Sequence, residues 1–489
     1  MDALITSLSK LVWSYALIGL CAFSGIYFSI RTGFLQFRYI RTMLRLLFTG
    51  EKSEKGISPF QAFSLAISGR VGTGNIVGVA TAISMGGPGA IFWMWVIAIL
   101  GAASAFVEST LGQVYKQEQN GEYRGGPAYY IEKGLGIKWY AILFAIVTVM
   151  SCGLLLPGIQ SNSIAASIKN AFGISTFDVG GFPISYAGIL VVILLGFIII
   201  GGVKRLGKVS EIVVPFMAGA YILMAIIIIS LNIKEIPSIV QLIVSSAFDL
   251  NSTFAGILGS TIAWGVKRGI YSNEAGQGTA PHAAAASEVK HPVEQGLVQA
   301  FSIYIDTLFV CTATAFMILF TQKYNVINET TQKVIVENIP GVDYTGFTQA
   351  AVSYHFPSFG NEFVAFALFF FAFTTIIAYY YYAETNIAYL LKKKNNNIKP
   401  YIWILRIVFL LATYYGTVKE AQIAWAIGDI GVGLMAWVNV IAILLLGNTA
   451  IKVWKDYESK KKSGIQNPSF HAEDIGLENA DFWKNKKEL

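Results

Sequence analysis

Two polar, glycine-rich runs interrupt hydrophobic segments of this chain: Ser68-Gly69-Arg70-Val71-Gly72-Thr73-Gly74-Asn75 and Lys267-Arg268-Gly269-Ile270-Tyr271-Ser272-Asn273-Glu274-Ala275-Gly276. Their residue types suit binding rather than bond-making. Where a helix unwinds, one half leaves N–H groups and the other leaves C=O groups without intrahelical partners. The N-termini attract a carboxylate, and the freed carbonyls attract Na+ or an ammonium group. Gly72, Gly74, Gly269 and Gly276 permit the required dihedrals and a close approach of the ligand. Thr73, Asn75, Ser272 and Asn273 add oxygen ligands. A small zwitterionic amino acid is the cargo that suits such a pair of breaks.

Charge near these runs is expensive. Arg70, Lys267, Arg268 and Glu274 each cost roughly 2.5–3.5 kcal/mol if held near a bilayer centre. They must face an interior or pair with one another. An Arg70–Glu274 ion pair is the expected structural arrangement, with Glu108 and Asp306 as further partners inside apolar segments. Thr374 and Thr375 sit among Phe369, Phe370, Phe371 and Phe373. Such hydroxyls bond back to the preceding turn or complete a Na+ shell. His282 and His291 have no ligand-like spacing, and a capping or surface placement is expected for them. Cys21, Cys152 and Cys311 stand singly, without a CxxC or a His/Cys cluster. Gly72, Gly74 and Gly78 give GxGxxxG rather than a dinucleotide GxGxxG. Without a Ser/His, paired-Asp or His-Glu-x-x-His arrangement, an enzyme is not expected.

The elements that must position these residues are membrane helices. Hydrophobic residues make up 54% of the chain and charged residues 13%, against about 25% charged in soluble domains. Runs of roughly 20 apolar residues recur, each long enough to cross a hydrocarbon core. The spacing predicts spans at 11–30, 60–84, 88–116, 139–171, 184–202, 210–231, 252–286, 295–320, 360–391, 400–416 and 423–447. The first is a membrane helix and not a signal peptide, since Lys10 precedes it and Arg31, Arg38, Arg41 and Arg45 follow. The net charge of +7 comes from short loops and a tail and is no nucleic-acid signal. No obligate protein partner is evident; the lipid bilayer is the expected surrounding.

Loop charge sets an orientation. With the N-terminus outside, the inner loops hold eighteen Lys and Arg: Arg31, Arg38, Arg41, Arg45, Lys52, Lys55, Lys116, Arg124, Lys133, Lys138, Lys204, Arg205, Lys208, Lys290, Lys392, Lys393, Lys394 and Lys399. The outer side holds six: Lys10, Lys169, Lys234, Lys323, Lys333 and Lys419. The expected placement is therefore a multi-pass plasma (inner) membrane protein with a cytoplasmic C-terminus. Eleven helices with breaks in the second and seventh give one extra helix followed by five plus five. The broken helix opens each half and runs in opposite directions, as in inverted repeats. The expected divisions are an extra helix at 1–34, repeats at 58–231 and 252–447, and a charged, solvated cytoplasmic tail at 448–489. Residues 321–345 read as a polar outer loop, and Thr345 to Phe356 as a short helix on that face.

At the breaks the sequence resembles the alanine or glycine:cation symporters. The resemblance is carried by Gly72-Thr73-Gly74-Asn75-Ile76-Val77-Gly78-Val79-Ala80-Thr81-Ala82-Ile83 and Ser272-Asn273-Glu274-Ala275-Gly276-Gln277-Gly278. Gln160-Ser161-Asn162-Ser163-Ile164-Ala165 and His291-Pro292-Val293-Glu294-Gln295-Gly296 add to it, over roughly residues 10–450. It implies a LeuT-like inverted-repeat fold and Na+-driven (in some members H+-driven) uptake of small neutral amino acids. Na+ is then a co-transported ion and not a prosthetic group. Thr73, Gly74 and Asn75 match the family's seat for the substrate carboxylate; Asn273, Glu274 and Gly276 lie near its amino group. Gln160 matches the polar position facing the site. For sodium, the broader fold implies the carbonyls of Ser68 and Val71 with the hydroxyls of Thr374 and Thr375. A bundle of helices 2, 3, 7 and 8 would rock against helices 4, 5, 9 and 10. Tyr379 stands where many members carry a tryptophan, in Ala378-Tyr379-Tyr380-Tyr381-Tyr382-Ala383-Glu384. Alanine and glycine remain favoured, and a larger or more polar neutral amino acid stays open. So do an H+-coupled symporter using Glu274 or Asp306, and a facilitator or channel of the same topology.

Overall fold

In a computed structural model, which describes residues 2–48, 56–119, 121–254, 256–329, 331, 333–392 and 398–484, nearly every apolar run is helical. Lys52, Lys55, Lys393 and Lys394, counted above among the inner-loop charges, lie outside the described residues. The main helices are α1 (Tyr15–Arg31), α2 (Pro59–Arg70), α3 (Val79–Gly86), α4 (Ala90–Val114), α5 (Lys138–Phe172) and α6 (Tyr186–Ile199). Then come α7 (Gly202–Leu231), α8 (Leu258–Asn273), α9 (Ala280–Ala286), α10 (Pro292–Phe320), α11 (Gly360–Leu390), α12 (Lys399–Gly416) and α13 (Ala421–Lys462). Each expected span coincides with one of these helices or with a broken pair. Among the described residues, seven helical stretches, the first running Leu4–Arg31, are long and apolar enough on their own to cross a membrane.

The breaks fall where the glycines put them. α2 starts on a capping box: the Ser58 hydroxyl accepts from Gln61 N at 3.1 Å, and Gln61 Oε1 accepts from Ser58 N at 3.1 Å. Pro59 occupies the first turn, where its missing N–H is not needed. The helix ends at Arg70, and a π-helical turn, Gly74–Gly78, leads into α3. α8 stops where Glu274 takes a left-handed φ of 56°, followed by Gly276 at 81° and Gly278 at 80°. Glutamate rarely adopts that region, and such a residue persists only where its surroundings hold it there.

The helices form two groups. α4 packs on α10, α8, α9 and α1; α5 packs on α11 and α12, and α6 on α12. The broken helices run antiparallel: α8 packs on α3, and α9 on α2. Among the described residues, three two-stranded antiparallel ribbons decorate the ends, including β1 (Gln117–Gln119) with β2 (Glu122–Arg124).

Several details differ from the sequence reading. α7 begins at Gly202, not 210, because Lys204, Arg205 and Lys208 ride on its first turns and hide the helix from an apolar window. α13 runs on to Lys462, so the expected boundary at 447 falls inside a helix. The segment after it does not stand free in solvent: Phe470, Ala472, Ala480 and Trp483 are buried against the loops. A helix at Ile236–Ala247 and a short helical segment at 127–135 had no strong apolar run to announce them.

Close backbone approach fixes the seam between α5 and α12. A Cβ on Gly416 would lie 2.3 Å from the Gly158 carbonyl oxygen, whereas one on Gly219 would meet nothing within 4 Å. Gly416→Val should therefore lower stability by about 1–3 kcal/mol, read as a reduced thermal midpoint in detergent, and Gly219→Ala should not.

Candidate functional site

The first break exposes the carbonyls of Ser68 and Val71, and α11 answers with Thr375. Its hydroxyl lies 2.7 Å from Ser68 O, 2.9 Å from Phe371 O and 3.4 Å from Val71 O. One hydroxyl hydrogen serves one acceptor at a time. Ser68 O, Val71 O and Thr375 Oγ1 converge on the break with one hydroxyl hydrogen to share, an oxygen cage of the kind that suits a small hard cation. Thr374 turns elsewhere: its hydroxyl is 2.9 Å from Phe370 O, 3.1 Å from Phe371 O and 3.7 Å from Met217 Sδ of α7. Of the four residues expected around sodium, the structure brings Ser68, Val71 and Thr375 together.

Beyond the cage, the N–H groups of the break are held by side chains. Gly72 N donates to Asn75 Oδ1 at 2.8 Å, and Thr73 N donates to Gln160 Oε1 of α5 at 3.1 Å. A Cβ on Gly72 would fall 2.4 Å from the Thr375 hydroxyl and 3.0 Å from Gln160 Oε1, so the position tolerates only glycine. Tyr379 is buried one turn after Thr375 on α11. Gly74 backs onto Tyr271 and Ser272 of α8, with a would-be Cβ at 3.1 and 3.2 Å from them, so the two breaks touch here.

Asp306 on α10 ties the breaks together. It accepts from Asn75 Nδ2 at 2.6 Å, from the Ser272 hydroxyl at 3.0 Å and from the Thr307 hydroxyl at 2.6 Å. In sequence it stood out only as a charge inside an apolar run. In the second break, Asn273 Oδ1 accepts from Ala275 N at 3.0 Å while its Nδ2 is buried without a hydrogen-bond partner. Glu274 Oε2 accepts from the Thr279 hydroxyl at 2.8 Å, and its Oε1 has no hydrogen-bond partner. The Gly276 carbonyl accepts from Asn439 Nδ2 at 3.0 Å, and Gly278 N donates to Glu108 Oε2 at 3.2 Å. Buried polar atoms left open in this way mark where a ligand or water would be welcome. Ser68 to Ala80 and Arg268 to Ser287 are buried throughout, so the site is closed on both sides.

The expected Arg70–Glu274 pair does not form. Arg70 Nη1 donates to the Gln299 carbonyl at 3.1 Å and to the Ser302 hydroxyl, both on α10, while the Glu274 carboxylate turns to Thr279. Lys267 and Arg268 are spent elsewhere as well. Arg268 grips Asp429 of α13 in bidentate fashion at 2.9 and 3.1 Å, and Lys267 Nζ reaches Asp429 Oδ2 at 2.7 Å. The guanidinium lies 4.7 Å from the Trp425 ring centroid and 5.0 Å from that of Trp264. Glu274 is thus the charged residue of the second run that stays beside the break. Asp429 and Asn439 escaped sequence reading because each is one polar residue in the apolar run of α13, with nothing nearby to say which way it faces.

Removing Asp429's charge should leave two buried cations uncompensated. Asp429→Asn is expected to cost about 3–5 kcal/mol, visible as a large drop in the thermal midpoint, with Asp429→Glu losing less.

Known proteins place this geometry in context. A family model described as the sodium:alanine symporter family matches residues 1–472. A Bacillus subtilis protein named putative sodium/proton-dependent alanine carrier protein YrbD is 58% identical, over 99% of this chain and 98% of its own. The sodium/proton-dependent alanine carrier protein of Bacillus sp. PS3 is 52% identical, over 91% and 97%. The probable sodium/glutamine symporter GlnT of Bacillus subtilis is 42% identical, over 96% and 93%. Among solved structures, MhsT in complex with L-phenylalanine superposes with a TM-score of 0.57 at 16% identity, over 81% of this chain and 91% of that one. A mutant of the Eremococcus coleocola manganese transporter gives 0.50 at 12%, over 89% and 91%. These likenesses give the fold, that of the LeuT-type transporters. On the strength of a match across nearly its whole length, the chain belongs to the sodium:alanine symporter family.

Proposed function

We propose that this protein imports a small neutral amino acid, alanine or glycine, together with Na+. The observation that carries the reading is the Thr375 cage, set directly behind amides fixed by Gln160 and Asn75. The substrate carboxylate sits over Thr73, Gly74 and Asn75. Its ammonium group lies toward Asn273, Glu274 and Gly276, where Glu274 Oε1 is an acceptor without a hydrogen-bond partner. Tyr379 bounds the side-chain space. Na+ sits among Ser68 O, Val71 O and Thr375 Oγ1, with Thr374 contributing after a change of rotamer. The extra helix at 1–34 precedes inverted repeats at 58–231 and 252–447, with the N-terminus outside and the C-terminus in the cytoplasm. The separation of α4, α8, α9 and α10 from α5, α6, α11 and α12 supports a bundle that rocks against a scaffold. The names of the 58% and 52% identical relatives support alanine as the substrate.

Coupling follows from geometry. Thr375 bonds the carbonyls of the same backbone turn that seats the substrate, so Na+ that orders this turn tightens substrate binding, and the effect is reciprocal. A second reading is favoured by Asp306, a buried carboxylate touched by both breaks. In it, a proton on Asp306 takes the place of Na+.

Purified protein in liposomes should accumulate labelled alanine under an inward Na+ gradient. No accumulation of alanine, glycine, serine or glutamine would sink the proposal, and accumulation driven by a pH gradient without Na+ would select the Asp306 reading. Thr375→Val should raise the Na+ concentration for half-maximal uptake at least tenfold, about 1.4 kcal/mol, while Asn75→Ala should abolish uptake with insertion intact.

A further inference from the structure

The segment after α13 is the part of the molecule for which transport chemistry has no use, yet it is among the most specifically packed. From Ser463 it turns back beneath the bundle. Phe470 N donates to the Lys290 carbonyl at 3.1 Å, and the Phe470 ring lies 5.0 Å from that of His291, just ahead of α10. Trp483 is 1% exposed; its indole N–H donates to the Gln113 carbonyl at the end of α4, 2.9 Å away. The Lys116 ammonium is enclosed by ring centroids of Phe482 at 4.5 Å, Tyr123 at 4.7 Å and Trp483 at 5.5 Å.

These contacts fall on a particular seam. Gln113 Nε2 and Lys116 Nζ both donate to the Ser287 carbonyl, at 2.9 and 2.7 Å, which pins the end of α9. The start of α2 is stitched to that same end, through Ile57 N to Ala286 O at 3.0 Å and Glu288 N to Ile57 O at 3.2 Å. The two broken helices thus meet here, and Trp483 and Phe482 rest on the residues that pin them. On the other side, Asp481 pairs with Lys133 at 2.7 Å and Asn479 Nδ2 donates to the Lys133 carbonyl at 3.2 Å, just ahead of α5. The segment therefore straps the bundle, at α4 and α10, to the chain that leads into the scaffold.

We propose that residues 463–484 form a latch that holds this face of the transporter closed, so that its release precedes opening of the site on the side of the C-terminus. The latch rests on the transport reading for its purpose but not for its test. Three aromatic rings, Phe470, Phe482 and Trp483, a few hydrogen bonds and two partly exposed ion pairs, Lys133–Asp481 and Lys460–Asp474, hold it. That arrangement can detach without disturbing any residue of the breaks.

The test compares the full chain, a version ending at Lys462, and Trp483→Ala, each purified and checked for monodispersity. Ser287→Cys in each background reports opening through its rate of reaction with a membrane-impermeant maleimide applied to the face that carries the C-terminus. The same proteins without that cysteine give the background from the buried Cys21, Cys152 and Cys311. Expected are labelling at least fivefold faster and a raised initial rate of alanine uptake in both altered forms. Unchanged labelling and uptake, or a fall in both with folded protein, would overturn the latch. If no form transports any amino acid, the transport reading fails, while the labelling rates still decide whether the segment holds the face closed.

Discussion

A helix interrupted inside a bilayer has backbone groups that water cannot reach, and each costs several kcal/mol if left alone. Here side chains from four other helices meet them. Gln160 of α5 takes Thr73 N, Thr375 of α11 reaches Ser68 O, Asn439 of α13 holds Gly276 O, and Glu108 of α4 takes Gly278 N. Asp306 of α10 takes no backbone N–H, but it orients Asn75, which takes Gly72 N. The site is therefore not a property of two loops. Its shape depends on where bundle and scaffold stand relative to each other, since the supporting side chains come from both. Any ligand that completes the hydrogen bonding of the breaks favours the helix arrangement that supplies the remaining partners, which is what a coupled carrier requires.

Charge inside the molecule obeys the same rule of satisfaction. Among the buried acids that touch the breaks, Asp306 has the most side-chain donors, three. Glu108 has two donors on one oxygen, and Glu274 has one. Arg70 is anchored to α10 rather than to any of these acids, and so leaves Glu274 beside the break without a salt-bridge partner among the described residues. On the proposed transport reading, a carboxylate so placed is matched by a substrate that brings its own ammonium group. A neutral zwitterion does this without adding net charge to the interior.

The sequence made the membrane class, the order of spans and both breaks legible, because lipid demands long apolar runs and glycine marks where they fail. Ser68 O, Val71 O and the Thr375 hydroxyl lie together at the first break. What stayed hidden were partners across helices. Nothing in the spacing of Asp429 on α13 tells that it faces Arg268, and nothing in Arg70 tells that Gln299 and Ser302 would claim it before Glu274 does. Periodicity reports which face of a helix is apolar; the breaks lie in helices buried almost all round, where that signal vanishes. The packed C-terminal segment was illegible for the opposite reason. Phe470 and Trp483 are too sparse among charges to look like a core, yet two large rings in prepared seats are enough to fix a short segment.

The two faces of the site are closed by different physics. Beyond the break on the side of α3 and α8, closure rests on one carboxylate shared by Lys267 and Arg268 and sealed by tryptophan rings. On the side of α2 and α9 it rests on backbone stitching, on amide and ammonium donors to Ser287 O, and on aromatic packing from the chain's own end. An ion pair that opens to water recovers its hydration at once, so that face can part with little reorganisation. The other must release several dispersed contacts together, as a packed interface does. A carrier built this way favours the state in which the face carrying the C-terminus is shut, and the step that opens that face is the one most open to control from outside the site.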